Sequence, residues 1–122
     1  MSRILVVEDD EVLRNELIER NEGYDAEYIS TFSDTAGQII KSKPDLVLLD
    51  INIPELNGEL VLRKLRKETD IPVIMVTSRT SESDEVLSMS YGADDYITKP
   101  YNPTILMLRI SAVIKRTRKQ DS

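Results

Sequence analysis

Carboxylates at Glu8, Asp9, Asp10 and Asp50, a hydroxyl at Thr77 and an ammonium at Lys99 are the side chains whose types could do chemistry together in this sequence. Each sits just after a short apolar run. Carboxylates crowded into one place cannot all stay ionised unless something positive joins them. A hard divalent cation is the natural partner; Mg²⁺ takes oxygen ligands and keeps waters or phosphate oxygens in its shell. Glu8, Asp9 and Asp50 suit that role, and Lys99 adds a fixed positive charge. A metal, a lysine and a hydroxyl together would stabilise a phosphoryl group in transfer. Cysteine and histidine are both absent, so the best available nucleophile is a carboxylate, and carboxylates do form aspartyl phosphates. Taken singly, each residue has a plainer explanation: Asp9 or Asp10 as a helix cap, Asp50 as a turn residue, Lys99 as a solvated surface lysine. Their coincidence at one sheet edge is what points to function.

That coincidence depends on the elements that carry them. Ile4 to Val7, Leu46 to Leu49 and Ile71 to Val76 are apolar runs without polar alternation, the pattern of strands buried on both faces of a parallel sheet. Weaker strands are expected at Ala26 to Ile29 and at Tyr96-Ile97. Helical patterns lie between them: Val12 to Arg20, Ser33 to Lys41 with Ser33 as a cap, Gly58 to Lys67, Ser83 to Tyr91, and Pro103 to Thr117, with proline in the first turn where it is tolerated. Five βα repeats imply an α/β fold, a single five-stranded parallel sheet with helices on both faces. Ligands of such sheets bind beyond the C-terminal ends of the strands. The acids, Thr77 and Lys99 all fall there.

Composition narrows the rest. The 122 residues make one domain, large enough to remove roughly two-thirds of its unfolded surface from water. No stretch approaches the roughly 20 apolar residues of a membrane helix, and the N-terminus is not a signal peptide. Without cysteine there are no disulfides. A cytoplasmic location is expected. The net charge of −6 opposes nucleic-acid binding by this domain. The last residues break that trend, with Lys115, Arg116, Arg118 and Lys119 clustered in a polar tail. Those charges either complement the dipole of a last helix or open a linker.

The segments Ile4 to Asp10, Asp45 to Ile51, Pro54 with Gly58, Pro72 to Thr77 and Gly92 to Pro100, in this order and spacing, resemble the receiver domain of two-component response regulators over residues 3 to 116. The resemblance implies the (βα)5 flavodoxin-like receiver fold. It implies Asp50 as the phospho-acceptor served by a sensor histidine kinase. Asp9 would be a direct Mg²⁺ ligand and Glu8 would act largely through water. Asn52 would offer its backbone carbonyl. Lys99 would contact the phosphoryl group, and the Lys99–Pro100 bond would be cis. Thr77 and Tyr96 would be the switch pair, moving toward the modified site and remodelling the face made by the fourth helical segment, the fifth strand and the fifth helical segment. The domain would modify only itself and would not be a turnover enzyme on external substrates.

Within that family, the Gly92 to Pro100 segment and the tail are most similar to OmpR/PhoB-type regulators. This implies a receiver over 1–116, the start of a linker over 117–122, and a missing C-terminal winged-helix domain through which alone DNA would be bound. It also implies a homodimer formed on phosphorylation. Asp94, Asp95 and Arg109 match the charged residues of the usual dimer face, but Leu87 and Ile105 stand where a basic and an acidic residue are usual. The last helix carries Leu106, Ile110 and Val113 on one face and Ile105, Leu108 and Ala112 on another. A helix apolar on two faces is expected to be buried on two faces, the second against a twin subunit.

Three other readings compete. A phosphatase with an aspartate nucleophile needs an acid two residues later to protonate the leaving group; Asn52 cannot do this. A flavin module needs backbone donors and small residues after the first strand, where this chain has Glu8-Asp9-Asp10. A stand-alone receiver acting by protein–protein contact is the nearer alternative.

Overall fold

The computed structural model describes residues 3–8, 11, 15, 25–29, 33–51, 57–78, 89–99 and 101–120. Its strands are β1 (Arg3–Val7), β2 (Asp25–Tyr28), β3 (Leu46–Asp50), β4 (Val73–Thr77) and β5 (Asp95–Thr98). Its helices, among the described residues, are α1 (Thr35–Ser42), α2 (Gly58–Glu68) and α3 (Pro103–Gln120). The segments expected to be helical at Val12 to Arg20 and Ser83 to Tyr91 lie almost wholly outside the described residues. All strand pairs are parallel, in the order β2-β1-β3-β4-β5, the doubly wound order that reverses between β1 and β3.

The three central strands are apolar at nearly every position because both faces are covered. Leu5, Val7, Val47, Leu49, Val73 and Met75 face α1 and α2, which contribute Ile39, Leu62 and Leu65. Ile4, Val6, Leu46, Leu48, Ile74 and Val76 face α3, which contributes Leu106, Ile110 and Val113. The second apolar face expected of the last helix is present: Ile105 and Leu108 are 50% and 65% exposed.

Local signals explain the helix starts. Asn57 caps α2, its side chain accepting from the Leu60 amide at 3.2 Å. Asn102 caps α3, accepting from Thr104 at 2.8 Å and Ile105 at 3.3 Å, with Pro103 in the first helical position. At α1 the expected Ser33 cap is displaced by one residue. Asp34 holds the N-cap position with a left-handed backbone, φ 47°, and the Ser33 carbonyl instead accepts from the Gln38 side chain at 2.6 Å. The last helix runs to Gln120, past the Thr117 end read from sequence.

Two glycines are required by close approach. A Cβ on Gly58 would lie 2.8 Å from the Asp50 carbonyl oxygen and 2.9 Å from Ile51 Cα. The start of α2 is therefore pressed against the backbone that carries Asp50. Gly92 has φ +102°, and its carbonyl accepts from Arg66 Nε at 2.9 Å. The same guanidinium donates to the Ile71 carbonyl at 2.8 Å and to Asp94 at 3.2 Å, so one α2 side chain ties together the segments that lead into β4 and β5.

Two substitutions test this framework by urea unfolding. Gly58→Ala should destabilise by about 1–3 kcal/mol, since the contact is with backbone that cannot yield. Arg66→Ala should destabilise by about 2–3 kcal/mol by removing the donor to two carbonyls and one of the donors to the Asp94 carboxylate. Wild-type midpoints in either variant would contradict the assigned contacts.

Candidate phospho-acceptor site

Parallel register gathers the chemistry at one edge. Val7 pairs with Leu49 and Asp50 with Val76, so Glu8 and Asp50 leave adjacent strands side by side. Thr77 pairs with Thr98, and the Lys99 amide extends that ladder by donating to the Thr77 carbonyl at 2.7 Å. The sheet thus fixes the backbone of Lys99, and its side chain reaches back across the strand ends.

The Lys99 ammonium donates to Glu8 at 2.6 Å and to Asp50 at 3.0 Å. The side chains of Glu8, Asp50 and Lys99 are only 6%, 4% and 18% exposed. In that setting each carboxylate needs a counter-charge, and one lysine serves both. Burial by itself pushes the Lys99 ammonium down; its hydrogen bonds to Glu8 and Asp50, with the charges of both, outweigh burial, and the net direction is up. Lys99 is therefore a fixed cation at neutral pH.

Thr77 is fully buried at the end of β4. Side-chain alternation sends it to the sheet face opposite Asp50, the face shared by Met75 and Tyr96. Tyr96 is itself buried, with its backbone paired to Met75. The structure therefore brings Glu8, Asp50, Thr77 and Lys99 to one end of the sheet with Tyr96 beneath. Asp9, Asp10, Asn52, Leu87 and Pro100, with the Lys99–Pro100 bond, lie outside the described residues. The two described carboxylates offer hard oxygen donors, and together with Lys99 they leave one net negative charge. That donor set fits a Mg²⁺ ion.

Of the interface candidates, Ile105, Leu108 and Ala112 are exposed on α3. Arg109 is held within the chain by Asp95, at 3.0 and 3.2 Å. Asp94 is directed inward, accepting from the Val73 amide at 2.9 Å and from Arg66. Sequence reading did not assign this inward role to Asp94, because Arg66 is far from it in the chain.

The family model for the response regulator receiver domain matches residues 4–111. This chain belongs to the response regulator receiver family. Sensory transduction protein RegX3 of Mycolicibacterium smegmatis is 41% identical over 123 residues, which is 99% of this chain and 54% of that protein. The uncharacterized transcriptional regulatory protein YclJ of Bacillus subtilis is 37% identical, covering 93% of this chain and 51% of its own length. The receiver thus spans about half the length of the curated relatives it matches. Among solved structures, the BeF3-activated N-terminal receiver domain of Klebsiella pneumoniae RstA superposes with a TM-score of 0.84 at 32% identity, covering 92% of this chain and 97% of that one. A CheY-like receiver domain protein from Methanospirillum hungatei gives a TM-score of 0.85 at 32% identity, covering 98% of each chain.

Lys99→Met should destabilise the receiver by about 3 kcal/mol at neutral pH, because it removes the ammonium shared by two buried carboxylates. The lysine's contribution has a defined pH window. It is fully present below the ordinary ammonium value, about 10.4, and is lost as pH rises through the raised native value. Urea unfolding at increasing alkaline pH should therefore bring wild type and Lys99→Met together; a constant gap would exclude the ion pair as the source.

Proposed function

We propose that this chain is a signalling receiver that accepts a phosphoryl group on Asp50 from a phosphohistidine of a sensor kinase. The observation that carries this reading is the Lys99 ammonium lying between the buried carboxylates of Glu8 and Asp50. An Asp50 oxygen attacks phosphorus, the bond from phosphorus to the donor nitrogen breaks, and its electron pair leaves with the imidazole. Lys99 turns from the carboxylates to the new phosphoryl oxygens. The Thr77 hydroxyl donates to one of them, and Tyr96 adjusts on the same face of the sheet. Glu8, Asp9, Asp50 and the Asn52 carbonyl would hold Mg²⁺, which supplies charge neutralisation for the transferring group. Hydrolysis of the acyl phosphate resets Asp50, so the chain modifies itself and turns over no external substrate.

The output surface is the face containing β5 and α3. Its exposed Ile105 and Leu108 suit contact with a twin subunit in the phosphorylated state, with Leu87 near Ile105 replacing part of an ionic contact and Asp94, Asp95 and Arg109 bordering it. The receiver occupies residues 1–116, with linker beginning after it. It controls transcription in the cytoplasm through a C-terminal, winged-helix DNA-binding domain, as in OmpR/PhoB-type regulators. The relative from Bacillus subtilis described as a transcriptional regulatory protein supports that assignment.

Incubation with acetyl phosphate and Mg²⁺ should add one phosphoryl group by mass spectrometry, and Asp50→Asn should abolish it. Chelation of Mg²⁺ should do the same. Labelling that persists in Asp50→Asn would refute the assignment. In the phosphorylated protein, Ile105→Glu should shift a dimer to monomer in sedimentation; an unaltered dimer would remove this face from the interface.

A further inference from the structure

Ile105, Leu108 and Ala112 are spaced three and four residues apart, so they form one stripe along α3. All three are exposed, Ile105 by 50% and Leu108 by 65%. Lys115 takes the next position of the stripe and is exposed as well, so the apolar seam is about two helical turns long. The charges beside it are balanced within the chain. Arg109 follows Leu108 directly and donates to both carboxylate oxygens of Asp95, at 3.0 and 3.2 Å. Asp95 also accepts from the Tyr96 amide at 2.8 Å. Asp94 is directed inward, to the Val73 amide and Arg66. The seam therefore presents aliphatic groups flanked by an ion pair that is already closed.

A surface that binds its own copy meets its own charges. Net charge on it would repel the twin, and an unpaired charge would be buried without a partner. Each copy of this chain carries −6, so two copies repel over most of their surface. At the seam they can approach without that opposition. We propose that the α3 seam selects a second copy of this chain by being uncharged: Ile105, Leu108 and Ala112 pack across the interface, while Asp95 and Arg109 stay paired within each protomer. This rests on the twin-subunit reading of the face and adds what the face recognises. Apolar burial holds such a pair together, and salt does not screen it. A receiver with a carboxylate at the position of Ile105 is refused, because the guanidinium beside the seam is already engaged by Asp95.

Sedimentation of the phosphorylated wild type tests this, with occupancy of Asp50 confirmed by mass at each salt concentration. Raising sodium chloride from about 50 to about 500 mM shortens the screening length about threefold. The dimer dissociation constant should hold within about twofold, or fall as repulsion between the two acidic chains is screened. A larger rise would mean that ion pairs cross the interface and would overturn the proposal. Asp95→Asn combined with Arg109→Gln should also leave the constant within about twofold, since the pair lost is closed within each protomer; greater weakening would overturn it. Leu108→Ala, at an exposed position, should raise the constant about tenfold, and an unchanged value would count against the seam. Wild type mixed with Ile105→Glu should form no mixed dimer; if one forms, the selectivity is refuted. A phosphorylated wild type that stays monomeric overturns both this proposal and the twin-subunit reading, whereas a dimer that salt dissociates overturns this proposal alone.

Discussion

Glu8 and Asp50 stand next to each other because β1 and β3 are neighbours in register, and two buried carboxylates at adjacent strand ends repel unless a cation lies between them. Lys99 supplies that cation from the far end of the sheet, two strands from Asp50 and three from Glu8 in the order. The arrangement is held at the expense of stability that aliphatic residues would have provided. In the proposed function, its use is that the cation can move. A lysine is a flexible point charge with three donors, so it can exchange the carboxylates for a phosphoryl group without any change in the sheet.

That exchange requires everything beneath it to stay still. The strands are parallel, so every C-terminal end opens on the same edge. The two cores, packed against α1 and α2 on one face and α3 on the other, leave little room for the strands to shift. Gly58 lets α2 press directly on the backbone at Asp50. Arg66 fixes the far side of the sheet by gripping the Ile71 and Gly92 carbonyls and Asp94. The exchange proposed for Lys99 thus needs only side chains to turn, in a frame whose backbone is clamped from below.

The central strands were legible because a strand buried on both faces has no alternation to blur it, and Leu46 to Asp50 reads as apolar until the acid. The edge strand β2 was weaker, since Asp25, Glu27 and Tyr28 are exposed. The starts of α2 and α3 carry asparagine caps, but at α1 the cap expected at Ser33 gives way to Asp34, whose side chain makes no capping hydrogen bond. The local backbone, with Asp34 in a left-handed conformation, is not legible in the sequence. Of the site, Glu8, Asp50, Thr77 and Lys99 were each visible as polar residues ending apolar runs.

The sequence alone determined the order of elements, the edge on which the acids must gather, and the absence of any thiol or imidazole chemistry, because those follow from hydrophobic period and residue type. It could not show which acid Lys99 would meet, or that Asp94 turns inward to Arg66. Those are contacts between residues 28 to 91 positions apart in the chain, or a choice of side-chain direction. Only the packing of the folded sheet sets them, because hydrophobic period decides which face a residue takes and not which neighbour it finds there.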